Sequence, residues 1–192
     1  MGTTELFVEL IVIGIGGAAW IVLAVLSAFG YRWIPLEQAL SLPVLVPALS
    51  LVYLVGIITD RLADVLFEAI WVPGLRRKHY DSNHSARDDR RLIYTHNEYL
   101  ASLIEYGRSR LRICRGWAFN ATLCLVAANV FLALQFPASA FRTSLFWGVN
   151  LALGLIALLS WYTWYSLLDT QYRRLKDDAA FIRQQRRKKK QD

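Results

Sequence analysis

Apolar residues fall in four long uncharged runs along this chain, over residues 10–29, 39–59, 116–136 and 143–168, and all the charge lies between or beyond them. Each run reaches about the 20 residues that an α-helix needs to cross a 30 Å hydrocarbon layer. A helix bonds its own backbone groups, which makes it the economical way to cross where no water is present. The pattern predicts an all-α fold, a four-transmembrane-helix bundle with spans at about 6–29, 39–59, 116–136 and 143–168, in a single membrane domain covering residues 1–192. The segment ahead of the first run, Met1 to Phe7, has no Lys or Arg and contains Glu5, and the run is longer than the apolar core of a secretory signal, so it reads as a retained span.

Three of the spans are expected to continue as helix beyond the membrane. The second runs on past Asp60 with no breaker until Pro73 and Gly74. Thr95 and Glu98 have capping-box spacing ahead of the third. Leu100, Ile104, Gly107, Leu111 and Cys114, then Leu168, Tyr172, Leu175, Ala179 and Ile182, recur at steps of three and four, the signature of a narrow apolar seam. Helices 2, 3 and 4 are therefore expected to extend into a cytoplasmic helical bundle formed by residues 60–115 and the basic tail 169–192. Residues 76–91 are polar without a period and read as a mobile loop.

Charge fixes the expected orientation. The chain has 192 residues, with 22 Lys and Arg against 15 Asp and Glu. Apart from Arg32 and Arg142, every Lys and Arg lies between residues 61 and 115 or after 172. Basic residues collect on the cytoplasmic side, which predicts a multipass protein of the plasma (inner) membrane with both termini cytoplasmic. The aromatics agree: Tyr31, Trp33 and Trp147 suit the outer interface, and Trp71, Trp117, Trp161, Trp164 and Tyr165 the inner one.

One charge pattern stands out. Asp60, Asp64 and Glu68 share a helical face, and so do Arg108, Arg112 and Arg115. Counting down the second helix and up the antiparallel third puts Asp60 level with Arg115, Asp64 with Arg112, and Glu68 with Arg108. These six residues are expected to form an ion-pair ladder that fixes helix register or, in a sharper reading, gates. Asn129 and Asn150 lie at similar depth and are expected to make interhelical polar contacts, with Asn120 and Thr122 doing likewise nearer the inner face. Glu9, an interfacial carboxylate inside an apolar stretch, is expected to snorkel or to pair with an arginine. Pro43 and Pro47 are expected to kink the second span. Gly14 and Ala18 have small-xxx-small spacing, which lends slight support to oligomerisation.

Chemistry beyond this is sparse. Cys114 and Cys124 are too far apart on one helix to bridge. His79, Asp81, His84, Asp88 and Asp89 cluster in sequence without the spacing of a metal motif, so no metal or cofactor is assigned. Arg91 and His96 are spaced like the Arg-x4-His of HEPN ribonucleases, a likeness of six residues to which no catalytic role is given. The basic tail, Arg183, Arg186, Arg187, Lys188, Lys189 and Lys190, reads as a topology-setting solvated segment. The expected partners are the lipid bilayer and further copies of the chain, then a cytoplasmic protein, with nucleic acid least favoured. The function expected is a non-enzymatic, homo-oligomeric membrane component that forms a pore or receives a signal, such as an effector or sensor in bacterial (antiviral) defence. The alternative is a non-catalytic anchor or accessory subunit that recruits a partner through its helical extensions and tail.

Overall fold

A computed structural model describes residues 3–31, 42–80 and 83–188, apart from the side chains of Thr3, Glu5, Leu42, Asn83 and His84. Six helices account for nearly all of these residues: α1 (Thr3–Phe29), α2 (Leu42–Ile70), α3 (Val72–His79), α4 (Asn83–His96), α5 (Glu98–Gln135) and α6 (Ala140–Lys188). Four of them, α1, α2, α5 and α6, are long and apolar enough to cross a membrane. Of the residues singled out above, Arg32, Trp33, Asp81, Lys189 and Lys190 lie outside the described residues.

The helix ends follow from local chemistry. Gly30 closes α1 with a φ of 75°, a conformation that costs a side-chain-bearing residue, and its N–H reaches the Leu26 carbonyl at 2.9 Å. Pro43 occupies the first turn of α2, where no backbone donor is needed, while Pro47 lies inside the helix. Pro73 falls in the first turn of α3, so the Pro-Gly pair starts a new helix immediately after α2 ends. Phe136, which precedes Pro137, is extended and ends α5.

Two sequence expectations fail in this region. The segment 76–91, expected as a mobile loop, is mostly helix: α3 runs to His79 and α4 starts at Asn83. Ala86 packs against the core cluster, Ile93 is fully buried in it, and Asp89 is buried beside them, so α4 holds an apolar edge that its charge conceals. Nor does Thr95 cap α5. Asn97 is the N-cap, extended, with its side chain accepting the Leu100 N–H at 3.0 Å. The Thr95 hydroxyl instead donates back to the carbonyls of Arg91 and Leu92.

α1 packs against both α2 and α5, and α5 packs along α6. The α1–α2 contact is a close crossing of backbones. A Cβ on Gly14 would strike the Val52 carbonyl, and one on Gly56 the Leu10 carbonyl. Gly14 is thus spent inside the chain, and its spacing with Ala18 is no argument for oligomers. α1 and α5 run parallel, joined from end to end. Gly116 faces Ile13, the Asn120 amide donates to the Ile13 carbonyl at 2.9 Å, and the Gln135 amide donates to the Ser27 carbonyl at 2.9 Å. Thr122 does not cross between helices, since its hydroxyl returns to Ala118 of its own helix. α5 and α6 are antiparallel, with Asn129 and Asn150 exchanging amide hydrogen bonds at 3.0 and 2.9 Å.

The main core lies at the polar end. Phe67 meets Trp164 edge-on at 4.7 Å and Trp71 at 4.8 Å, and Leu75, Tyr80, Ile93, Ile104, Tyr172, Leu175 and Ile182 extend the cluster. Trp164 is buried in this core, and Trp71 packs against it as a partly buried neighbour. The α6 seam is buried along Tyr172, Leu175, Ala179 and Ile182, with Leu168 partly so. In the α5 seam only Ile104 is buried, and Leu100, Leu111 and Cys114 are half-buried against the same cluster.

Candidate functional site: a charge cluster where the apolar runs end

The apolar run of α2 ends at Thr59, and that of α5 begins at Gly116. Between those levels three helices bring opposite charges together. Arg115 of α5 donates to Asp60 at 2.9 Å and also to Asp64. One guanidinium thus spans two carboxylates a helical turn apart on α2, which its planar fork of donors suits. Arg112, one turn away, donates to Glu9 of α1 at 3.1 Å and approaches Asp60 at 3.6 Å. Glu9 also accepts the Ser109 hydroxyl. Glu9, Asp60 and Arg115 have side chains only 6, 14 and 16% exposed.

This is not the ladder read from the sequence. Asp64 pairs with Arg115 rather than Arg112, and Glu68 pairs with Arg76 of α3 at 3.6 Å rather than with Arg108. The physical reason is the third helix. α1 brings Glu9 up to Arg112 and draws it away from Asp64, while the turn into α3 after Ile70 brings Arg76 to Glu68. Arg108 has no ion-pair partner among the described residues. Removing Arg115 would leave Asp60 with only its longer contact to Arg112, and removing Arg112 would leave the buried Glu9 without a charged partner; leaving a buried charge uncompensated costs about 3 kcal/mol or more.

A second set of polar contacts ties α3 and α4 to the far end of α6. Asp169 accepts from Lys78 and pairs with His79, both at 2.9 Å. The hydrogen bond and charge of Asp169 hold the Lys78 ammonium above its ordinary range. Asp89, 3% exposed, accepts the Tyr80 hydroxyl at 3.1 Å and pairs with Arg183. Burial, then the Asp89 charge and hydrogen bond, raises the Tyr80 phenol well above its ordinary range. Arg183 is therefore engaged in the fold, and the tail is helical through Lys188, with Arg186, Arg187 and Lys188 exposed.

Among the described residues no group of three or more His, Cys, Asp or Glu is placed to hold a metal ion, and Cys114 and Cys124 are free thiols. Sequence reasoning did not single out Ser109, Tyr80, Asp169 or Arg90. The first three are partners in the contacts above, and Arg90 lines a cleft beside the cluster. The available signal was the spacing of Ala86, Asp89 and Ile93, an α-helical edge in a segment otherwise dominated by charge.

No model of a known protein family, no characterised protein and no solved structure matches this chain.

Proposed function

We propose that this chain is a multipass membrane component that works as a homo-oligomer, receiving a signal on its polar helices and passing it to its spans. The observation that carries the reading is the coupling at the charge cluster. α5 and α6 continue unbroken from apolar run to polar end over 38 and 49 residues, and Glu9, Asp60, Asp64, Arg112 and Arg115 lock α1 and α2 to α5 where the two regions meet. A displacement of the polar helices must then either carry the spans with it or break that cluster. The concentration of Lys and Arg at the polar end supports an orientation with both termini in the cytoplasm of the cell, across the plasma or inner membrane. The reading assigns no catalytic residue.

Self-association has its own support. Tyr99, Leu103 and Tyr106 are 71, 47 and 63% exposed on α5, below the end of its apolar run, where lipid tails do not reach. A second copy of the chain is the economical cover for such side chains. No charged side chain lies in the middle of an apolar run, so a polar path through the membrane, where one forms, lies between copies. The same exposed face favours the alternative of an accessory subunit, if another protein covers it.

Native mass spectrometry of the full chain in nanodiscs decides between the two. A single closed homo-oligomer of several subunits is expected, and conductance across planar bilayers then tells a pore from a sensor. A monomer or dimer that holds a second protein in fixed ratio would replace this reading with the accessory one.

A further inference from the structure

Beside the charge cluster is a cleft of about 500 Å³, lined from α2 by Asp60, Arg61 and Asp64, from α4 by Arg90, and from α5 by Arg108, Arg112 and Arg115. Its charges do not balance. Both carboxylates are taken up by Arg115, with Arg112 also near Asp60, whereas Arg61, Arg90 and Arg108 have no ion-pair partner among the described residues. The Nε of Arg90 is buried and makes no hydrogen bond. Burial, and after it the like charge of Arg108, lowers the pKa of Arg90. Holding guanidinium groups this way costs stability, and an anion between them would recover it. The remaining lining includes Trp164 and Leu168, at the last turns of the α6 apolar run, and Gln171 just past it. The cleft therefore opens where lipid headgroups and the aqueous phase meet.

We propose that this cleft binds a phosphate group, with Arg90 and Arg108 donating to its oxygens and Arg61 contributing charge from the exposed edge. Paired guanidinium forks match the tetrahedral oxygens of phosphate and supply charge-assisted bonds that a neutral ligand cannot use. The phosphate comes either from an anionic lipid headgroup or from a soluble phosphate compound, since both reach this depth. The proposal deepens the signal-receiving reading by naming the chemistry of the signal and rests on that reading for its meaning, while binding itself is measured independently of subunit number.

The test uses the full chain in phosphatidylcholine nanodiscs, in three settings: alone, with phosphatidic acid added to the lipid, and with inorganic phosphate or ATP in solution. Retained ligand is read by native mass spectrometry and its effect by thermal unfolding. Binding is expected to raise the melting temperature, and Arg90→Gln with Arg108→Gln is expected to weaken it at least about tenfold. The same double variant should melt no lower than the parent chain without ligand, because it removes like-charge crowding; a merely structural role would lower it. Arg108→Gln alone, at an exposed position, serves if the double variant does not fold. Arg186→Gln with Arg187→Gln, in the tail, should bind normally. Retention of phosphatidic acid identifies a lipid source, and stabilisation by phosphate or ATP a soluble one. No binding in either arm, or binding that the Arg90 and Arg108 variants leave unchanged, overturns the proposal. The same spectra report the oligomer, so a homo-oligomer without phosphate sinks only this inference, and a phosphate-binding monomer sinks only the oligomeric reading.

Discussion

Arg115 holds two carboxylates, whereas counting residues along two helices assigned it one. The counting was sound for Asp60 and Arg115, which lie 2.9 Å apart, because both sit at the ends of uncharged runs that mark depth directly. It failed one turn further on because it treated α2 and α5 as an isolated pair, and nothing in their own spacing says that α1 brings Glu9 to Arg112. The two pairings make different predictions. A double-mutant cycle on Asp60→Asn and Arg115→Gln should show a coupling of about 1–3 kcal/mol in thermal unfolding, and one on Asp64→Asn and Arg112→Gln close to none. Equal coupling in the two cycles would restore the simple ladder. At the opposite face of α1, steric contact rather than charge decides. Gly14→Val places a branched side chain against the Val52 carbonyl and should lower stability by about 2 kcal/mol or more, while Gly148→Val, at a position with open space around it, should cost no more than the β-branched residue's small helix penalty. Similar losses at both sites would argue against a tight α1–α2 crossing.

At the scale of elements, the four apolar helices were legible because a run without charge leaves few alternatives, whereas α4 was hidden. It has one wholly buried aliphatic residue, Ile93, and its other anchor is a carboxylate, Asp89, paired with Tyr80 just ahead of the helix and with Arg183 from a distant part of the chain. No periodicity in hydrophobicity reports an anchor of that kind. It has a pH signature. The Tyr80 phenol is raised in the folded protein, so its bond to Asp89 contributes fully below the phenol's ordinary value of 10.0, and the contribution is lost as pH rises beyond it. Tyr80→Phe should therefore cost about 1–2 kcal/mol at pH 8, and the gap between the variant and the parent chain should close above pH 10. A gap that stays constant up to pH 11 would mean that Tyr80 does not hold α4 through its proton.

For the whole molecule, the basic tail is two things joined end to end. Up to Arg183 the end of α6 belongs to the core: Asp169 holds α3, Tyr172, Leu175 and Ile182 fill the main cluster, and Arg183 holds α4. From Arg186 to Lys188 it is exposed helix. Sequence alone assigned the apolar seam and the charge run correctly as patterns, but it grouped Arg183 with the lysines because a charged side chain carries no mark of its partner. Deletions at two points separate the roles. Stopping the chain after Lys176 removes Ile182 from the cluster that holds Ile93 and breaks the Arg183 tie to Asp89, and residues 83–96 should lose hydrogen-exchange protection by several orders of magnitude relative to the parent chain. Stopping after Gln185 leaves every one of those contacts in place and should leave that protection unchanged, while removing five of the 22 Lys and Arg, all from the terminal charge run. Comparing the membrane orientation of the two truncated chains by protease accessibility then isolates what the terminal arginines and lysines do. If the shorter deletion also unprotects residues 83–96, the tail beyond Arg183 is part of the fold, and core and charge do not divide at Arg183.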